Sequence, residues 1–154
     1  MVDISLSWAE GADTTLSLPQ YRTKGAVGAD LRANFVPENR ATGVALAAGS
    51  RRLISTGLHM EIPLGYEVQI RPRSGLALKY GVTTLNAPGT IDSDYRGIVG
   101  VILYNSSDQH FHIGHGDRVA QMVVAPVQQV VFALKARLDE TDRGQGGFGS
   151  TGKS

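Results

Sequence analysis

Leu85-Asn86-Ala87-Pro88-Gly89-Thr90-Ile91-Asp92-Ser93-Asp94-Tyr95-Arg96-Gly97 is the stretch on which the fold turns. Asn86, Pro88 and Gly89 are turn residues, and they lead into a short polar segment with two carboxylates and a tyrosine. A second turn at Arg96 and Gly97 opens the apolar run Ile98-Val99-Gly100-Val101-Ile102-Leu103-Tyr104. Strand-like flanks around a middle punctuated by glycine and proline predict a β-hairpin or a tight β-arc. If the segment is extended, Asp92 and Asp94 share one face and Tyr95 points the other way. An acidic surface turn would read the same. A loop carried on strands is nevertheless a place for chemistry, because the strands hold its backbone still.

The neighbouring segments follow the same two-residue period. Leu58, Met60 and Ile62 alternate with polar residues, as do Tyr66, Val68 and Ile70, on either side of Pro63-Leu64-Gly65. This predicts a hairpin that delivers Arg71-Pro72-Arg73-Ser74-Gly75 at its end. Ser74 to Tyr80 is the best helix candidate, two turns at most and stopped by Gly81. Ile4 to Trp8 alternates as an opening strand, and residues 34–50 read as loop around a short apolar piece. Beyond the central stretch, Phe111 and Ile113 alternate with His110 and His112. Arg118 to Ala125 and Val130 to Leu134 complete the strands. Many short strands and no long helical period predict an all-β barrel or jelly-roll-like fold with one short helix. Residues 1–138 read as one β domain, and residues 139–154 as a flexible, glycine-rich tail.

Composition removes several classes. The chain has 154 residues, 15 Lys and Arg against 14 Asp and Glu, and no cysteine. Near-balanced charge offers no broad surface for polymeric nucleic acid or an acidic membrane. Without cysteine there is no disulfide, thiol nucleophile or thiolate metal site. Nothing approaches the roughly 20 apolar residues of a membrane span, and no signal-peptide pattern opens the chain, so a soluble, cytoplasmic protein is expected.

Two patterns invite the wrong reading. Gly147 to Ser154 fits the phosphate-loop spacing letter for letter, but that motif works only between a strand and a helix, and no helical pattern follows. His110, His112 and His115 suggest a metal cluster. With Phe111 and Ile113 claiming the inward face, surface histidines are the better expectation.

Five separated segments share small residues, one or two charges and groups that suit phosphate. They are Gly28-Ala29-Asp30-Leu31, Pro72-Arg73-Ser74-Gly75-Leu76-Ala77, the Asp92 stretch, Gly116-Asp117-Arg118-Val119-Ala120-Gln121, and Arg143 to Gly152. In this order and spacing they resemble the five motifs of the trimeric deoxyuridine triphosphatases (dUTPases), over nearly the whole chain. Departures are minor: Val27 stands where that family usually has alanine, and Ser55 where it commonly has proline.

The resemblance implies a homotrimer with shared sites that cleaves dUTP to dUMP and pyrophosphate with Mg²⁺. Such an activity limits uracil in DNA and supplies dUMP for thymidylate synthesis. It implies that Asp92 orients and deprotonates the attacking water, and that Asp30 holds waters of the Mg²⁺ shell. Arg73, Ser74, Gly75 and Gln121 match phosphate-side positions. Asn86, Gly89, Thr90 and Gly100 match the uracil pocket, Tyr95 the ring packed against deoxyribose, and Ile91 a substrate-binding position. From the tail, Phe148 matches the uracil-stacking residue and Gly149 a substrate-binding position, while Arg143, Ser150 and Thr151 match phosphate contacts. A related dCTP deaminase would carry its glutamate at position 102, where this chain has Ile102. A catalytically silent, regulatory relative is the other alternative.

Overall fold

The computed structural model describes residues 2–147. Eleven strands and two short helices follow one another as β1 (Ser5–Trp8), β2 (Ala29–Arg32), α1 (Pro37–Arg40), β3 (Val44–Leu46), β4 (Arg51–Ser55), β5 (Leu58–Glu61), β6 (Tyr66–Arg71), α2 (Ser74–Tyr80), β7 (Val82–Thr84), β8 (Gly89–Ile91), β9 (Gly100–Asn105), β10 (Phe111–Ile113) and β11 (Arg118–Pro126). They pair into four open sheets, ordered β1-β5, β10-β3, β2-β11-β6-β8 and β4-β9-β7. The all-β reading holds, while no sheet among the described residues closes into a barrel. Among the described residues, no helix is long and apolar enough to cross a membrane.

Period-two alternation builds the core. Leu31, Val68, Ile70, Val101, Leu103 and Ile113 all point inward, and each is almost wholly buried. Asn105, also fully buried, has its amide satisfied on every side. It donates to the carbonyls of Leu46 and Gln109 and accepts from the amide and hydroxyl of Ser107. That amide ties the end of β9 to β3 without leaving a buried polar atom unpaired.

α2 spans the predicted residues. It ends because Gly81 takes a left-handed conformation, φ 65°, and returns its N–H to the Ala77 carbonyl at 3.1 Å. The central stretch is the predicted arc. β7 pairs with β9, while β8 between them crosses to another sheet and pairs with β6. Beyond β8 the chain is not extended, since the Tyr95 N–H closes a turn on the Asp92 carbonyl at 3.2 Å.

Three expectations about secondary structure are corrected. β5 and β6 do not form a hairpin: β5 pairs with β1, and β6 with β11 and β8. Their apolar residues, Met60 and Ile70 among them, face one core from two sheets, so Pro63-Leu64-Gly65 is a corner between layers. Val130 to Leu134 forms no strand, and Val131, Phe132 and Leu134 are almost fully exposed. A run can be apolar enough for a strand and still lack an edge to pair with. Helix α1 adds one turn where only loop was expected.

His110 and His112 are exposed, but His115 is not the surface residue predicted. The Phe35 N–H donates to its Nδ1 at 3.0 Å, so the proton sits on Nε2, which donates to Asp13 at 3.1 Å. Asp13 also accepts from the Thr15 hydroxyl and amide. Those Thr15 bonds, followed by the one from His115, hold its carboxyl well below the usual carboxylate range. A lowered folded pKa gives stability that is present above the ordinary value and lost as pH falls toward the folded one. Asp13→Ala should therefore lower the thermal midpoint at neutral pH. The gap from wild type should narrow once pH drops below 3.8. A gap that is constant through acid would show that the carboxylate contributes nothing by its charge.

Candidate active site

Strand register puts several of the predicted residues on one surface. In the four-stranded sheet, Asp30 of β2 pairs with Gln121 of β11, which pairs with Arg71 of β6. Two residues along, Val123 pairs with Gln69, and Gln69 with Thr90 of β8. Two further on, Ala125 pairs with Glu67, and Asp92, just past the end of β8, lines one cleft with Glu67 and Thr90. Directly paired residues share a face, so Asp30, Gln121, Gln69 and Thr90 lie on the outer side of the sheet, and Asp92 follows Thr90 into the cleft at its end.

At one end sits a charged cluster. The Asp30 carboxylate receives Arg73 Nε at 3.1 Å, Arg118 Nη1 at 3.0 Å and Arg22 Nε at 3.8 Å. Arg73 Nη1 also donates to the Arg118 carbonyl at 2.8 Å. Gln121 Nε2 donates to the Pro72 carbonyl at 3.0 Å, which fixes the segment leading into Arg73 and Ser74. Gly28 is required by close approach rather than backbone conformation, because a Cβ there would lie 2.2 Å from Gln121 Oε1. Segments predicted separately from residues 28–31, 72–77 and 116–121 thus meet in space.

At the other end is a cleft of about 700 Å³ lined by Tyr66, Glu67, Thr90, Asp92, Asp94 and Val127 among others. Asp92 is exposed into it. Tyr95 folds back so that its hydroxyl donates to the Ile98 carbonyl at 3.1 Å, and its ring lies where a Gly97 Cβ would be. The Asn86 amide lies over Gly89, 3.2 Å from where a Cβ would stand. Gly89 itself is buried, and Ile91 is half-buried. The Leu85 N–H donates to the Ile102 carbonyl at 2.8 Å, keeping the arc beside the start of β9 and hence Gly100.

These two ends are far apart within one chain. Glu67 and Arg71 are four residues apart on β6, about 13 Å at the usual rise, and Arg73 lies two residues beyond. Asp92 and Arg73 are therefore not brought together. Arg143 is not brought to the cluster either; its Nε donates to the Gly146 carbonyl within the tail's own turn. Phe148, Gly149, Ser150 and Thr151 lie outside the described residues.

Sequence reasoning missed a polar stripe on β6. Arg71 Nε donates to Gln69 Oε1 at 3.0 Å, and Gln69 Nε2 to Glu67 Oε1 at 2.8 Å. Their two-residue spacing was legible, but nothing in the sequence shows which strands flank β6. Arg118 was missed as a separate functional residue for a similar reason, since its neighbours come from two other strands.

Fold and site together define a β-sheet protein with an arginine cluster around Asp30 at one end of a sheet and a carboxylate-bearing cleft at the other. The dUTPase family model matches residues 14–152. A deoxyuridine 5'-triphosphate nucleotidohydrolase from Roseobacter denitrificans is 62% identical over 152 residues, covering 99% of this chain and 97% of the relative. Its counterpart from Dinoroseobacter shibae is 58% identical over 142 residues, 92% of each chain. Among solved structures, a Staphylococcus bacteriophage 80alpha dUTPase with dUpNHpp aligns at TM-score 0.81 and 22% identity, over 98% of this chain and 99% of that one. A mutant dUTPase of phage phi11, described with a structural Mg(II) ion, aligns at 0.71 and 20% identity over 90% and 99%. The chain belongs to the dUTPase family.

Gly28→Ala should leave the unfolding midpoint nearly unchanged, because the obstructing atom ends a flexible side chain. Displacing Gln121 from Pro72 should weaken binding of a dUTP analogue roughly 2- to 10-fold, the worth of one hydrogen bond. Calorimetry and a binding titration on the same preparation separate the two effects. A large fall in midpoint would make Gly28 a folding residue instead.

Proposed function

We infer that this chain cleaves dUTP to dUMP and pyrophosphate. Its membership of the dUTPase family supports the reaction. The Asp30 cluster carries the phosphate end of the reading, because it leaves three guanidinium groups around one carboxylate. Arg73 spends two donors on Asp30 and the Arg118 carbonyl, and its remaining N–H groups suit a phosphate oxygen. Ser74, Gly75 and Gln121 stand beside it as further phosphate contacts.

Asp92 is proposed as the general base. It takes a proton from a water whose oxygen attacks phosphorus, and the α–β anhydride bond breaks to release pyrophosphate. Proton removal of this kind is worth roughly 10²–10⁴ in rate, and positioning of the triphosphate supplies the rest. Asn86, Gly89, Thr90, Ile91 and Gly100 receive uracil, where backbone groups imitate a pairing edge and leave cytosine's reversed pattern unpaired. Tyr95 packs against the sugar. From the tail, Phe148 and Gly149 cover the base while Arg143, Ser150 and Thr151 reach the phosphates. Residues 139–154 act as a lid on the domain of residues 1–138.

The residues fit a hydrated metal ion rather than a caged one. Among the described residues, no three His, Asp or Glu side chains gather to hold a metal. Asp30 is a single carboxylate with lone pairs left over for water, as suits an ion that keeps most of its waters and binds substrate phosphates. When bound, Mg²⁺ neutralises charge on the triphosphate.

Separation of Asp92 from Arg73 along β6 supports a site completed by a second copy, and so the trimer. The bare apolar residues Val130, Val131, Phe132 and Leu134 support it too, since another copy of the chain can cover them. A cytoplasmic role in the nucleotide pool goes with this reading.

Chromatography of the reaction should show dUMP and pyrophosphate, and dUDP with orthophosphate would overturn the assignment. Asp92→Asn should retain binding of a non-hydrolysable dUTP analogue and lose about 10²–10⁴ in kcat. A loss under about tenfold would remove Asp92 from the role of base.

A further inference from the structure

We propose that Arg118 is a positioning residue for the phosphate end of the site: its guanidinium occupies the Asp30 carboxylate and so keeps Arg73 available to the triphosphate. The proposal rests on the dUTP-cleaving reading above and assigns a task within that site.

The backbone places Arg118 deliberately. Arg118 pairs with Arg32, but Ala120 already pairs with Leu31, so Val119 is an extra residue in β11. This is a β-bulge, which re-aims the side chains next to it. Residues three apart on a regular strand face opposite ways. Here Val119 and Ala120 are both buried, and Arg118 and Gln121 emerge together on the outer face. Their partners Arg32 and Asp30, two apart on β2, share that face as well.

The contacts divide the carboxylate between two arginines. Arg118 Nη1 takes Asp30 Oδ2 at 3.0 Å, and Arg73 Nε takes Oδ1 at 3.1 Å. Arg118 acts on Arg73 twice, since its own carbonyl accepts Arg73 Nη1 at 2.8 Å. Arg73 thus meets Asp30 through one nitrogen on one oxygen and gives Nη1 to the Arg118 carbonyl, which spares its Nη2. Without the Arg118 side chain, both oxygens of Asp30 can turn to Arg73 and grip it as a two-point fork. That fork would neutralise the guanidinium and use up the donors meant for phosphate. Arg22, at 3.8 Å and mostly exposed, is too loosely placed to substitute. Lysine would supply charge but not the planar group that reaches Asp30 while β11 keeps its bulge.

The test is a double-mutant cycle on binding of a non-hydrolysable imido analogue of dUTP, measured in EDTA so that metal handling by Asp30 does not enter. Arg118→Met should weaken binding about 10- to 100-fold, the worth of a charge-assisted contact. In the Asp30→Asn background the same Arg118→Met change should cost less than about threefold, because an amide has no charge with which to capture Arg73. Arg118→Lys, which preserves charge in case the methionine variant folds poorly, should fall between wild type and Arg118→Met. Equal losses in both backgrounds would make Arg118 a direct ligand or a folding residue and overturn the proposal, as would wild-type affinity in Arg118→Met. Failure of the wild-type protein to bind the analogue would instead strike the dUTP reading itself.

Discussion

β6 is paired along both edges, with β11 on one side and β8 on the other, and the candidate site takes its geometry from that double pairing. A strand fixed on both sides cannot slip by one residue without turning Val68 and Ile70 out of the core. The same constraint holds Glu67, Gln69 and Arg71 outward in a hydrogen-bonded row. It also fixes where the flanking strands present Gln121 and Thr90. Placement of the polar groups is thus a by-product of burying the apolar ones.

This arrangement separates two kinds of chemistry. Cationic groups gather at the Arg71 end, where Asp30 holds Arg73 and Arg118, and the carboxylates Glu67, Asp92 and Asp94 line the cleft at the Tyr66 end. Opposite charges kept apart along one strand do not neutralise each other within a single chain. A second copy that brought one chain's cationic end to another's carboxylate end would unite them only on assembly. The bare apolar segment after β11 would give a driving force for such an assembly, at about 25 cal/mol per Å² of apolar surface covered.

Much of this was legible in the sequence where the signal is local. Helix α2 spans the predicted residues because its stop, Gly81, is a property of one residue. The arc around Asp92 was legible from its turn residues. Readings that needed partners failed: β5 and β6 alternate like a hairpin, yet each finds its mate elsewhere. Val130 to Leu134 has strand composition and no mate among the described residues. His115 looks like its exposed neighbours until Phe35 and Asp13, far away in sequence, close on both ring nitrogens. Arg118 needed the bulge at Val119, which no spacing rule announces. Asp30, Gln121 and Asp92 came through the family resemblance; register pairs the first two, while Asp92 stands past the end of β8.

The central claim is that Asp92 and Arg73 of one chain serve different sites. It is tested most directly by co-expressing Asp92→Asn chains with Arg73→Ala chains and assaying the purified mixed oligomers. Each variant alone should be nearly inactive on dUTP. Mixed oligomers should regain turnover, because an intact Asp92 from one chain can meet an intact Arg73 from the other. Mixed oligomers no more active than either parent would place both residues in one chain's site and contradict the account.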